Sequence, residues 1–280
     1  MSTEVRRSSA EAPVLVRARD LGGHDEPGPR DLPAPDRLIR WGRPLLLPFS
    51  SAMRVLTDDP VIGLTYDDGP DPEHTPQILA ELRRRDVRAT FFVLVEAAER
   101  HPQLVRDLLA EGHEVGLHGI DHTLLTTVSW REAARAVRQG RRRLERVTGE
   151  RVRLYRPTYG IQGPAQYLAA RLAGLEVVFW TAWAQDWLQE PAESIAARAV
   201  TAGHPGAILL LHDTTGDATP ERPAPTFSRA EVTARVVDLL HGGGYRLMPA
   251  GALLAAYPAV RAVTITPPSV PGPGRGRQPA

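Results

Sequence analysis

At 280 residues the chain is long enough for one large α/β domain or two small ones, and 42% hydrophobic with 24% charged residues is ordinary for a globular protein. A formal charge of +1 leaves no general field for nucleic acid or a membrane surface, and the absence of cysteine excludes disulfides, thiolate metal sites and a cysteine nucleophile. No stretch reaches the roughly 18 consecutive apolar residues of an integral membrane segment, and the first twenty residues lack the apolar core of a signal peptide, which points to the cytoplasm.

Residues 1–35 carry scattered proline, glycine and charge, too little apolar material to offset ordering entropy, and are expected to form a flexible tail. Residues 36–59, which include "RPLLLPFSSAMRVL", read as a docking segment. A single main domain is expected over 60–258, and the Pro/Gly-rich residues 259–280 as a second flexible tail.

Within the main domain, strand-length apolar runs alternate with amphipathic helix patterns. "VIGLTY" (61–66) is a buried-strand run, followed by a helix pattern with Thr75 as N-cap and Pro76 at the first helical position. "ATFFVL" (89–94) is the next strand, and the helix after it ends on Gly112. "HEVGLH" (113–118) follows, then a long helix over 129–149 with Ser129 and Glu132 spaced as a capping box. "RLYRP", "EVVFWTA" and "AILLLHD" supply strands from Arg153, Glu176 and Ala207, and a helix over 228–244 with "YRLM" closes the series. About seven strand–helix units imply a parallel sheet, open or closed into a barrel, with functional groups at the C-terminal strand ends.

Polar residues do gather at those ends. Asp67 and Asp68 follow the first strand, His118 ends the third with His122 four residues on, Arg156 ends the fourth, Asp186 follows the fifth, and His212 with Asp213 ends "AILLLHD". Taken alone, Asp-Asp-Gly-Pro is a solvated turn, and most of the nine histidines need be no more than surface or core residues. The i, i+4 spacing of His118 and His122 would put both rings on one helical face. With one carboxylate they would form a two-histidine, one-carboxylate metal site with open positions. One aspartate of the doublet can then bind a cation while its neighbour stays free as a general base.

Five stretches, "TYDDGP" (65–70), "HGIDH" (118–122), "RPTYG" (156–160), "DW" (186–187) and "LLH" (210–212), resemble in order the motifs of the polysaccharide deacetylase family, the NodB-like carbohydrate esterases of family four. The resemblance covers roughly residues 60–248. It implies a distorted (β/α) barrel and metal-dependent removal of N-acetyl or O-acetyl groups from a sugar or glycoconjugate. Carried onto this sequence, Asp67 would be the catalytic base, and Asp68, His118 and His122 would bind one divalent metal ion, zinc first, with cobalt or nickel also accepted. Arg156 would orient Asp67, and the Tyr159 backbone N–H would hold the oxyanion. His212, supported by Asp186, would protonate the leaving amine, while Trp187 and Leu210 would wall the acetyl pocket.

Three positions depart from the family pattern. Gly119 stands where serine or threonine is usual, which removes a hydrogen bond from the metal loop. Thr158 replaces a proline and is expected to loosen the backbone presenting Tyr159. Trp183 takes the place of the first aspartate in D-x-x-D-W. Trp180, Trp183 and Trp187 suit stacking on sugar rings, with core packing an equal use for Trp180. The long loop 214–227 is expected to shape the entrance. Three other functions fit parts of the pattern: an amidase on a non-peptide C–N bond, an inactive carbohydrate-binding relative, and an iron-dependent oxygenase.

Overall fold

The computed structural model describes Val14–Leu15, residues 50–214 and residues 225–262. The expected N-terminal tail beyond Val14–Leu15, residues 36–49 of the docking segment, residues 263–280, and most of the loop after Thr214 lie outside the described residues.

The core is a curled sheet of seven parallel strands. In chain order these are β3 (Val61–Asp67), β4 (Thr90–Leu94), β5 (Glu114–Gly119), β6 (Leu154–Tyr155), β7 (Glu176–Val177), β8 (Ala182–Trp183) and β9 (Ile208–His212). Their spatial order is β7-β6-β5-β4-β3-β9-β8, and β10 (Arg246–Met248) lies parallel to the first half of β3. Every residue of β3 is buried, as its uninterrupted apolar run requires of a central parallel strand. The principal helices around the sheet are α1 (His74–Arg84), α2 (Val95–Arg100), α3 (Pro102–Ala110), α4 (Trp130–Thr148), α5 (Pro164–Leu172), α6 (Ala192–Ala202), α7 (Arg229–Gly242) and α8 (Ala250–Ala256). The capping box at Ser129 and Glu132 forms as the sequence predicts. Among the described residues, no helix is long and apolar enough to cross a membrane.

The expected strand from Glu176 is broken in two, and the break closes the barrel. Glu176 and Val177 pair with β6, Val178 bridges to Ala52, the Thr181 N–H donates to the Ile208 carbonyl, and Ala182 and Trp183 pair with β9. One stretch of chain thus passes from one edge of the sheet to the other. β2 (Ser51–Val55) wedges into the gap, with Arg54 bridging to Ala207. The result is the distorted (β/α) barrel expected from the sequence.

Two expected boundaries move. Ser51–Val55, expected in a docking segment, is a strand of the domain, with Ala52, Met53 and Val55 buried. Ala259–Ala262, expected in the flexible tail, is β11, antiparallel to β2 and parallel to β1 (Val14–Leu15), and it buries Val260 and Ala262. Composition concealed both, because a four- or five-residue strand beside prolines carries little apolar weight.

Thr75 also differs from expectation. The helix begins at His74, and the Asp71 Oδ1 accepts the N–H groups of Glu73 and His74 at 2.9 and 2.8 Å. The helix therefore starts one residue before the expected cap, with Asp71 taking the donors at its start. Freed from that task, the Thr75 hydroxyl turns inward and donates to the Asp213 Oδ2 at 2.7 Å.

Ending the chain at Pro258 removes β11 and exposes the residues of β2 that it covers. Burial of one valine side chain is worth about 1.5–3 kcal/mol, and each kcal/mol shifts the melting midpoint by roughly 2–4 °C at this size. The truncated chain is expected to melt about 5 °C lower by calorimetry or circular dichroism. An unchanged midpoint would show that β11 is dispensable to the domain.

Candidate functional site

Strand register brings the expected residues to one level. Asp67 is the Cα partner of both Phe92 on β4 and His212 on β9, while Thr65 partners Leu210. Alternation along β3 sends Thr65 and Asp67 into the barrel and Tyr66 outward, where its hydroxyl lies 3.0 Å from Thr233 on α7. Leu210 and His212 share the inward face by the same rule.

Arg156, just past β6, enters the barrel with no solvent exposure. Its Nη1 donates to the Asp67 Oδ1 and to the Thr65 hydroxyl, both at 2.8 Å, and Nη2 and Nε donate to the carbonyls of Phe179 and Val178 at 3.1 and 3.2 Å. The guanidinium also lies over the rings of Phe92 and Trp180, 4.2 and 5.4 Å from their centroids. Trp180 is thereby committed to the core, which settles its alternatives against sugar stacking.

Asp67 is still in the strand, and the turn expected to start there starts at Asp68, whose φ of 80° lies in the left-handed region. That turn swings the Asp68 carboxylate back towards the histidines instead of outward. His118 Nε2 and His122 Nε2 lie 3.1 and 3.2 Å from its Oδ1, and the three side chains form a cluster able to hold a metal ion. The expected helical face is absent: His118 ends β5 and His122 sits in the following turn, yet their ring centroids are 5.7 Å apart. The donor set fits a divalent cation. His118 Nδ1 is 2.9 Å from the Arg156 carbonyl, which fixes Nδ1 as the protonated nitrogen and turns the Nε2 lone pair to the cluster. The Asp68 Oδ1 is buried without a well-formed hydrogen bond. Burial opposes ionisation of Asp68, but the neighbouring His118 ring and the charges of His122 and His212 outweigh it and hold the carboxyl below its ordinary range.

On the opposite side His212 Nδ1 is 2.7 Å from the Asp186 Oδ1, and the His212 N–H donates to the Asp186 Oδ2 at 2.8 Å. Burial alone would lower the imidazole pKa, but Asp186, by charge and hydrogen bond, and then Asp68 and Asp67 raise it to about 9. Two residues in this region were not assigned roles from the sequence. Arg229, the first residue of α7, donates to the Asp186 Oδ2 at 3.1 Å and to the His212 carbonyl at 3.2 Å. An arginine opening an ordinary amphipathic helix carries no sequence signal for that role. Asp213 was visible beside His212. Its N–H donates to the Asp67 carbonyl at 3.3 Å, and its carboxylate takes the Thr75 hydroxyl and fills the space that a Cβ on Gly69 would need. It braces the turn that aims Asp68.

The expected pocket residues lie around these groups. Tyr159 adopts the left-handed conformation (φ 58°), with its ring 4.2 Å from that of His122. Trp187 meets the His212 ring edge-on at 5.7 Å and Trp183 at 5.6 Å, and Leu210 is buried two residues before His212. A cavity of about 280 Å³ opens beside the cluster, lined by Asp68, Pro70, Asp71, Leu94, His122 and Thr214. Of the expected entrance loop, Thr214 borders this cavity, and residues 215–224 lie outside the described residues.

The polysaccharide deacetylase family model matches residues 54–178. A peptidoglycan-N-acetylglucosamine deacetylase of Bacillus cereus is 34% identical over 203 residues, covering 71% of this chain and 91% of that protein. A chitooligosaccharide deacetylase of Sinorhizobium fredii is 35% identical over 195 residues, covering 68% of this chain and 89% of that one. Among solved structures, a peptidoglycan N-acetylglucosamine deacetylase superposes with a TM-score of 0.69 at 27% identity, covering 77% of this chain and 98% of that one. A pseudoenzyme of carbohydrate esterase family four from Bacillus anthracis superposes with a TM-score of 0.64 at 26% identity, covering 72% of this chain and 68% of that one. With most of both catalogued relatives' length matched at more than a third identity, and the motif residues converging on one strand-end site, this chain belongs to the polysaccharide deacetylase family.

Proposed function

We propose that the protein is a metal-dependent hydrolase that removes the acetyl group from an N-acetylated sugar, with N-acetylglucosamine, the sugar named in the Bacillus cereus relative, as its unit of recognition. One observation carries this reading. Asp67 and His212 stand at the same level of neighbouring strands, each held by its own buried ionic partner, beside the Asp68–His118–His122 cluster.

Asp68, His118 and His122 would hold a divalent ion, zinc first with cobalt or nickel as alternatives, and it would supply Lewis acidity for activating water and polarising the acetyl carbonyl. Asp67, aimed by Arg156, takes a proton from the attacking water. The Tyr159 backbone N–H is the proposed donor to the carbonyl oxygen as it gains charge. His212, cationic beside Asp186, gives its proton to the leaving nitrogen. Trp187 and Leu210 wall the acetyl methyl. An acid held cationic above neutral pH favours an amide over an ester, because an amine leaves poorly without a proton and an alkoxide needs less help. The same machinery would serve an amidase on another non-peptide C–N bond, which the choice of substrates below separates from a sugar deacetylase.

Acetate release from a panel of N-acetylated sugars, with zinc added or chelated, tests the reading. Release is expected to stop with chelator and return with metal, and Asp67→Asn is expected to lower kcat by about 10²–10⁴. Asp68→Ala and His118→Ala are expected to lose bound metal. No acetate from any substrate, with Asp67→Asn behaving as the parent, would overturn the assignment.

The pH profile follows from His212. A raised pKa means that the proton is present below about 9 and lost above it, so kcat is expected to fall as pH rises through that value. Asp186→Asn removes the charge that sustains the imidazolium and is expected to move this fall at least one pH unit lower. A high-pH limb unmoved by Asp186→Asn would show that His212 is not the acid.

A further inference from the structure

We infer that Thr158 is a positioning residue whose hydroxyl ties the metal loop to the loop presenting the Tyr159 N–H. This rests on His118 and His122 being metal ligands. Thr158 is buried, and its hydroxyl donates to the Thr123 carbonyl at 2.9 Å. Thr123 directly follows His122, and Thr158 directly precedes Tyr159, which is held at a φ of 58°. His118 is anchored to the same stretch, through its Nδ1 on the Arg156 carbonyl. Both histidines are therefore indexed to residues 156–160, one by a ring nitrogen and one through Thr158.

Gly119 completes the arrangement. A Cβ there would lie 2.6 Å from the Asp121 carbonyl oxygen and 3.3 Å from the Thr158 Cγ2. The turn after His118 is closed down on Thr158 with no room for a side chain. The two departures from the family pattern thus meet in space. The loop hydroxyl that Gly119 cannot provide comes from Thr158, in the place of a proline that could donate nothing. Far from loosening the backbone before Tyr159, Thr158 fastens it. Because the Thr158 hydroxyl adds a second hydrogen bond between these stretches, ordering of either favours the other, and the influence is reciprocal.

The test is metal affinity, read by competition with a chromogenic chelator for zinc and by cobalt absorption, on the parent, Thr158→Val and Thr158→Ser. Valine keeps the shape and removes the donor, while serine keeps the donor and removes the methyl. Loss of a hydrogen bond that orients a ligand loop costs about tenfold in metal affinity or more. Thr158→Val is expected to weaken zinc binding about tenfold while the metal-free chain still folds, its melting midpoint lower by no more than about 5 °C, and Thr158→Ser to stay within twofold of the parent. If valine fails to fold, Thr158→Ala serves for the same comparison. Affinity unchanged in both hydroxyl-deleted variants, or serine as weak as valine, would overturn the tether and leave the metal site standing. A parent chain that binds neither zinc nor cobalt would overturn the ligand assignment and the tether together.

Discussion

A fully buried arginine is the constraint around which the site is organised. Taking a guanidinium out of water is costly, and Arg156 persists because its donors reach four acceptors on two segments and aromatic rings cover its faces. Those acceptors include the Val178 and Phe179 carbonyls, on the stretch of chain that closes the barrel. Closure and placement of Asp67 therefore depend on one side chain. Removing it would strand a buried carboxylate, a change that costs about 3–5 kcal/mol when one partner of such a pair is lost. Lysine would not substitute, since a single ammonium cannot span β3 and the closing segment at once.

From Arg156 outward, most of the buried carboxylates have a cationic or histidine partner of their own. Asp67 has Arg156, Asp68 has the two histidines, and Asp186 has His212 and Arg229. Asp213 is the exception. Burial pushes its pKa up to about 7, and its Oδ1 is buried without a partner. It is the carboxyl that can stand neutral near Asp68, where a further negative charge would be repelled. The Thr75 hydroxyl and the Gly69 backbone favour its ionised form, but they do not offset burial and the charge of Asp68.

The strand ends were legible in the sequence because a parallel sheet concentrates chemistry there, and alternating apolar runs mark each end. Asp67, Asp68, His118, Arg156 and His212 are all read that way. The His118–His122 spacing pointed to two rings that do meet, though not on a helix: a tight turn after a strand brings them together as well as a helix would. Arg229 was not legible, since its partner Asp186 lies 43 residues earlier and nothing local distinguishes it from a solvated helix-start arginine. The outer edges of the domain were hidden for a similar reason. β2 and β11 pair with each other across some two hundred residues, and short segments flanked by proline do not declare such pairing.

The site divides into two arms that share no side-chain hydrogen bond or ion pair among the described residues. Arg156 and Asp67 form one arm, continuous through the Arg156 carbonyl and Thr158 with the loop of His118 and His122. Asp186, His212 and Arg229 form the second arm, and the arms meet through the backbone pairing of β3 with β9. Trp183 lies beside the second arm, where the family pattern has a further aspartate. Asp186 holds both cations of that arm, His212 on its Oδ1 and Arg229 on its Oδ2. Trp183 extends a chain of rings from Trp180 to Trp187, ending against the imidazole itself. With a ring in place of a carboxylate at that position, the charge that keeps His212 protonated comes from Asp186 first, by contact and hydrogen bond, and then across the strand ends from Asp68 and Asp67.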